Sequence, residues 1–174
     1  MKIMLLMALT VDGKIGRDAK HFPDWTGSAD KRLFKQTTQD AGVVIMGRKT
    51  FDTIGKPLPG RKNVIITRDP SLIATADNLI YTTLEAPVVA QNLAAQGFER
   101  AVLAGGASVN SLFARHGLID ELLITFAPRI FGQGISLFTD AVDMRLDLLD
   151  LQKLGDDMVL AHYAVRRRAM FASA

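Results

Sequence analysis

Short apolar runs separated by helix-patterned segments constrain this chain more than any other feature. KIMLLMAL (2–9), GVVIM (42–46), KNVIIT (62–67), NLIYT (78–82), RAVLAGG (100–106) and DELLITFAP (120–128) read as strands. Between them, SADKRLFKQTTQD (28–40), KTFDTI (49–54), EAPVVAQNLAAQG (85–97) and SVNSLFARHG (108–117) read as helices. The first of these is expected to open on Ser28 as N-cap and to carry Leu33 and Phe34 on one face; the last two close at Gly97 and Gly117. After residue 140 the pattern changes. MRLDLLDLQKLG (144–155) and MVLAHYAVRR (158–167) alternate with period two, as an antiparallel pair does. The order predicts an α/β fold with a mostly parallel central sheet and an antiparallel C-terminal edge strand. No repeat, low-complexity stretch or linker divides it, so residues 1–174 are expected to form a single domain.

A length of 174 residues with 48% hydrophobic and 22% charged content suits one soluble globular domain. There is no cysteine, which removes disulfides and thiolate metal sites and fits a cytoplasmic setting. The apolar stretch at the N-terminus runs only from Ile3 to Leu9, a strand's length, against the about 20 residues that a membrane-spanning helix requires. Net charge is +3, and part of it sits in the arginine run 166–168, which reads as a solvated terminus rather than a nucleic-acid surface. His21, His116 and His162 have no metal-ligand spacing, so no metal site is expected.

The remaining cations gather between residues 47 and 68, in MGRKTFDTIGKPLPGRKNVIITRD (46–69). In open α/β sheets ligands settle where strand ends lead into helices. Gly47 allows a close turn there, the next amides begin a helix, and Arg48, Lys49 and the Thr50 hydroxyl add charge and a donor. VLAGGASV (102–109) repeats the device with Gly105 and Gly106, the helix starting near Ala107 or Ser108. Thr67 and Arg68 end a third strand, and an arginine pair suits a phosphate monoester. Together these predict a phosphorylated dinucleotide, NADPH. Neither GxGxxG nor GxxxxGK[ST] occurs, so the common nucleotide fingerprints are absent.

The stretch MGRKTFDTIGKPLPGRKNVIIT resembles the central motif of the dihydrofolate reductase superfamily. MALTVDGKIG is similar to that family's first strand and loop, DWTGSADKRLFKQTT to its tryptophan and acid-bearing helix, LAGGASV to its glycine turn and ELLITFAP to its threonine-bearing strand. The run SVNSLFARHGLIDELLITFAPRIFGQGISLF resembles instead the reductase domain of bacterial riboflavin biosynthesis. The resemblance implies a three-layer fold, a cytoplasmic monomer or homodimer, and hydride transfer from NADPH to a small pterin or pyrimidine, without nucleic-acid or membrane partners.

Carried over by position, the resemblance makes Asp30 the one acid of the pterin pocket, with Trp25 shaping the pocket and Thr125 in a water network behind it. Ala8 would offer backbone contacts, Phe34 and Ile54 would pack on the ring, and Arg61 would grip a tail carboxylate. Ile15 and Gly16 would line the nicotinamide side. Gly47, Arg48, Lys49, Thr50, Thr67 and Arg68 would hold phosphates, and Gly105, Gly106, Ala107, Ser108 and Val109 the pyrophosphate. Read without the resemblance, Asp30 is also a first-turn helix acid and Arg61 a solvated turn residue. Four departures concern the substrate: Ala107 replaces the third glycine, Lys31 follows Asp30, Asn110 stands where an aromatic often sits near the nicotinamide, and the loop RDAKHFPD (17–24) is longer than the bacterial folate norm. Three functions follow: reduction of dihydrofolate, reduction of a ribosylaminopyrimidine phosphate, or nucleotide binding without turnover.

Overall fold

A computed structural model describes residues 1–18, 24–74 and 76–166. His21, the middle of the 17–24 loop, and Arg167 and Arg168 lie outside the described residues. The strands are β1 (Lys2–Thr10), β2 (Lys14–Gly16), β3 (Val43–Gly47), β4 (Lys62–Ile66), β5 (Leu79–Thr82), β6 (Arg100–Leu103), β7 (Glu121–Ala127), β8 (Ile135–Ser136), β9 (Leu146–Leu154) and β10 (Met158–Val165). The helices are α1 (Gly27–Ala41), α2 (Arg48–Ile54), α3 (Ala86–Ala95) and α4 (Ala107–Arg115), with a 3-10 turn at Asp24–Thr26 ahead of α1.

Eight strands form one sheet in the order β5-β4-β3-β6-β1-β7-β10-β9. The pairs from β5 to β7 are all parallel; β10 runs antiparallel to both β7 and β9. The expected antiparallel edge is therefore a hairpin, and the reversed strand is β10, one place in from the edge. The short pair β2–β8 stands apart from the main sheet; at three and two residues, these strands carry too little alternation to be read from sequence.

Alternation along the parallel strands sends side chains to two helical layers. Val43, Ile45, Val64, Leu103 and Ile124 pack with Val89 and Leu93 of α3 and with Val109 and Phe113 of α4. Val44, Met46 and Ile65 meet Phe51 and Ile54 of α2 and Phe34 of α1. Leu33 and Phe34 also cover Leu6, Val102, Leu123 and Leu160. The sheet is thus the middle of three layers, with α1 and α2 on one face and α3 and α4 on the other.

One expected cap is corrected. The N-cap of α1 is Thr26, at φ −87° and ψ −8°, without a side-chain cap, and Ser28 lies inside the first turn. Gly27, at φ +73°, begins the helix earlier than the serine would have done. The C-terminal expectations hold in position: α3 stops just before Gly97 and α4 just before Gly117, both at positive φ.

Candidate active site

Asp30 sits in the first turn of α1, half-buried. Burial lifts its carboxyl above the usual carboxylate range, and the Thr26 and Thr125 hydroxyls and the Lys31 charge take back part of that rise. Thr125 lies at the centre of β7, fully buried, and is the register partner of Ala8 on β1. Adjacent parallel strands thus bring Ala8 and Thr125 side by side under the acid. Phe34, one helical turn beyond Asp30, packs with Ile54 of α2 in one apolar cluster. The acid, the threonine and the apolar pair expected from sequence meet at one place.

Trp25 Nε1 is buried without a partner among the described residues, and the buried Thr125 Oγ1 has none there except the Asp30 carboxyl. An unpartnered buried donor or acceptor costs about 1–3 kcal/mol, so such atoms mark a place where a water or ligand group belongs. Trp25 stands edge-on to Phe131, with ring centroids 5.3 Å apart at 73°, and the Arg17 guanidinium lies 4.2 Å from the same Phe131 ring. Phe131 therefore closes the tryptophan side of the pocket, a wall the sequence reading did not anticipate.

Arg61 is not a solvated turn residue: only 6% of it is exposed. Its Nε donates to Pro59 O at 3.0 Å, and its Nη1 donates to Lys35 O at 3.3 Å and to Thr38 Oγ1. These bonds take three of its five N–H donors and fasten the residue to the back of α1. Desolvation lowers its pKa, yet a guanidinium remains charged at any physiological pH. No carboxylate pairs with it among the described residues, so a charged group stands braced without a counter-ion.

The two glycine junctions come together as a single feature. Gly47, at the end of β3, donates its N–H to Gly105 O at 2.7 Å, and the Gly105–Gly106 peptide bond is cis. A side chain on Gly47 would meet Val109 Cγ2 at 3.0 Å, one on Gly105 would meet Met7 Sδ at 3.0 Å, and one on Gly106 would approach Thr50 Oγ1 at 3.4 Å. The turn thus presents bare backbone, with side chains of Val109 and Met7 crowding the Cβ positions of Gly47 and Gly105, and the N-termini of α2 and α4 open from it. Ala107 and Val109 face inward and buried, while Ser108, Lys49 and Arg68 are exposed. Thr67 continues β4 by donating its N–H to Thr82 O. Arg48 does not stand alone as expected: it pairs with Asp52 at 3.2 Å and Asp69 at 3.7 Å. Both pairs are exposed and worth little, but they place the start of α2 beside the segment after β4.

Ile15 and Gly16 belong to β2, whose partner β8 lies in a strap running from 128 to 140. Asp12 holds the strap's first part, accepting from Thr10 Oγ1 at 2.6 Å, Phe131 N at 3.2 Å and Gly132 N at 2.8 Å. These bonds, Thr10 foremost, keep the Asp12 carboxyl below its ordinary range. Gly134, at φ +149°, packs so closely that a Cβ would lie 2.5 Å from Gly16 O. Sequence reading assigned neither residue a role. The DG pair at 12–13 signals a turn, but nothing local says what its carboxylate will hold. Among the described residues no cluster of three His, Asp or Glu side chains could hold a metal, and no helix is long and apolar enough to cross a membrane.

Residues 2–139 match the family described as Dihydrofolate reductase. The type A13 dihydrofolate reductase of Escherichia coli is 34% identical over 135 residues, 75% of this chain and 76% of that enzyme. The type 3 enzyme of Salmonella typhimurium is 47% identical over 70 residues, which span 40% of this chain and 41% of that enzyme's length. Among solved structures, a putative riboflavin biosynthesis protein from a Shewanella species superposes with a TM-score of 0.81. It is 20% identical, and the superposition covers 96% of this chain and all of the other.

Proposed function

Because the chain belongs to the dihydrofolate reductase family, we propose that it reduces dihydrofolate to tetrahydrofolate with NADPH. One observation carries this reading. A single half-buried carboxylate, Asp30, has its pKa raised by burial and has the buried Thr125 hydroxyl beside it. Reducing a C=N bond takes one hydride and one proton, and the protonated imine accepts hydride far more readily than the neutral one. A carboxyl whose proton affinity is raised takes up and passes on a proton more readily than an exposed one, and Thr125 and Trp25 offer a hydroxyl and an N–H to a bridging water. Phe34 and Ile54 supply an apolar slot for a flat ring, and Arg61 keeps two N–H donors for an anionic tail. Hydride chemistry asks a protein chiefly for positioning and exclusion of water.

The glycine cradle fits a dinucleotide: it presents bare backbone, Gly47 and Gly105 have little room for a Cβ, and two helix N-termini open from it. Gly47, Gly105, Gly106, Ala107, Ser108 and Val109 would hold the pyrophosphate, with Arg48, Lys49, Thr50, Thr67 and Arg68 around the remaining phosphates. Ile15 and Gly16 would border the nicotinamide, which supplies the hydride when bound. A second reading, reduction of a ribosylaminopyrimidine phosphate, is supported by Lys31, whose charge acts on Asp30 where the folate pattern has an apolar residue. The test is NADPH oxidation by the purified protein with each substrate, NADH serving as control. Dihydrofolate is expected to turn over far faster. Faster turnover of the ribosylaminopyrimidine phosphate would favour the second reading, and turnover of neither would remove both.

A further inference from the structure

Asn110 is buried completely on the first turns of α4, yet only half of its amide is bonded. Its Nδ2 donates to Leu137 O at 2.9 Å, while its Oδ1 has no partner among the described residues. The orientation is fixed by chemistry. Leu137 O only accepts, so the amide nitrogen must face it and the oxygen must face the other way. That way is the glycine turn: a Cβ on Gly105 would lie 3.9 Å from Asn110 Oδ1. Leu137 directly follows β8, which pairs with Gly16. Asn110 thus stands between the glycine cradle and the strap that carries the β2 side of the site.

An amide oxygen sealed in this way carries a desolvation penalty unless something donates to it. A movable side chain borders the same point. Met7 is half-buried, and its Sδ and Cε would lie 3.0 and 3.1 Å from a Cβ at Gly105. A thioether has three soft torsions and yields to an incoming ring edge at little cost. The ligand edge that reaches this spot must present a hydrogen-bond donor, because an oxygen without a proton offers nothing to another acceptor.

We propose that Asn110 Oδ1 is a specificity determinant for the cofactor, accepting a hydrogen bond from the carboxamide N–H of the nicotinamide after Met7 moves aside. The inference rests on the placement of the nicotinamide beside Ile15 and Gly16. It assigns Asn110 two tasks: the nitrogen fastens the strap, and the oxygen reads the amide. A ring bearing an acetyl group in place of the carboxamide has no such donor and leaves the oxygen unpaired.

The test is equilibrium binding, read by cofactor fluorescence without substrate, for three reduced cofactors: NADPH, its thionicotinamide analogue, which keeps the NH2 group, and its 3-acetylpyridine analogue, which lacks it. The wild-type protein is expected to bind the first two alike and the acetyl analogue about tenfold more weakly, one hydrogen bond's worth. In Asn110→Leu the ratio should fall to about one. Ser111→Ala serves as control, since the buried Ser111 Oγ accepts from Thr139 N at 2.9 Å and Asp140 N at 3.2 Å. That change loosens the same strap but should keep the tenfold ratio. Equal wild-type affinity for NADPH and the acetyl analogue overturns the proposal, whether or not Asn110→Leu folds; it is the result expected if a buried water fills the spot. A ratio preserved in Asn110→Leu overturns it as well. Failure of NADPH itself to bind would sink the cofactor reading along with it, and so is distinguishable from failure of this inference alone.

Discussion

Strands β3 and β9 occupy opposite halves of one sheet and meet water in opposite ways. Each of the five residues of β3 is buried, whereas seven of the nine residues of β9 are exposed. The cause is connectivity. Each parallel strand needs a crossover, and the crossovers lay α1 and α2 on one face and α3 and α4 on the other. The β9–β10 hairpin needs only a tight turn, so it adds two strands and no helix. On the face shared with α3 and α4, Leu148 and Leu151 remain 55% and 59% exposed. Parallel strands also end together, which is why both glycine junctions, Thr67 and the loop after β1 meet at one rim. The hairpin brings no helix to that rim; its turn only braces the start of α1, where a Cβ on Gly155 would lie 3.2 Å from Ala29 Cβ. Within one sheet, the doubly covered half builds the candidate site and the other half extends the sheet.

The contrast predicts a graded set of effects. Asp30→Asn keeps size and shape but removes the proton-holding group, and kcat for dihydrofolate should fall about a thousandfold with NADPH affinity nearly unchanged. Steady-state turnover and cofactor titration check both halves, and equal loss of both would break the assignment. Gly134→Ala places a Cβ against Gly16 O at a backbone conformation that L-residues avoid. It should cost about 3 kcal/mol in urea unfolding and detach β8 from β2.

A smaller effect has the opposite sign. Asp30 has a raised carboxyl pKa in the folded chain, so the folded state binds the proton more readily than the unfolded state, and ionisation near neutral pH works against folding. Asp30→Asn should therefore raise the melting temperature at pH 7. The gain should shrink as pH falls through the folded pKa and vanish below the ordinary value of 3.8, where both states are protonated. A melting series across that range reads it directly. Smallest of all, Leu151→Lys on β9 should change stability by less than about 0.5 kcal/mol and leave turnover untouched. A large loss there would show that the hairpin supports the site after all.

How much of this was legible in the sequence depended on how far apart the partners lie. Gly47, Gly105 and Gly106 announced themselves because a glycine at the end of an apolar run has few other uses. Asp30 and Phe34 were legible through their spacing on one helix and through resemblance. Arg61 was legible as a cation but not as a buried one, because its holders, Lys35 O and Thr38, come 26 and 23 residues earlier. Arg48 was legible as a cation, but its pairing with Asp69 was not. The cap at Ser28 failed because Gly27 could start the helix sooner.

What the amino-acid order determined by itself was the succession of strands and helices, the glycine-bearing strand ends and the chemical kinds of residue near them. These follow from periodicity and backbone freedom, which act over a few neighbours. Only the tertiary structure decided which polar atoms would be left without partners among the described residues: Trp25 Nε1 and Asn110 Oδ1. A group is orphaned by everything packed around it at once, and that depends on chain segments more than a hundred residues apart meeting in the same place.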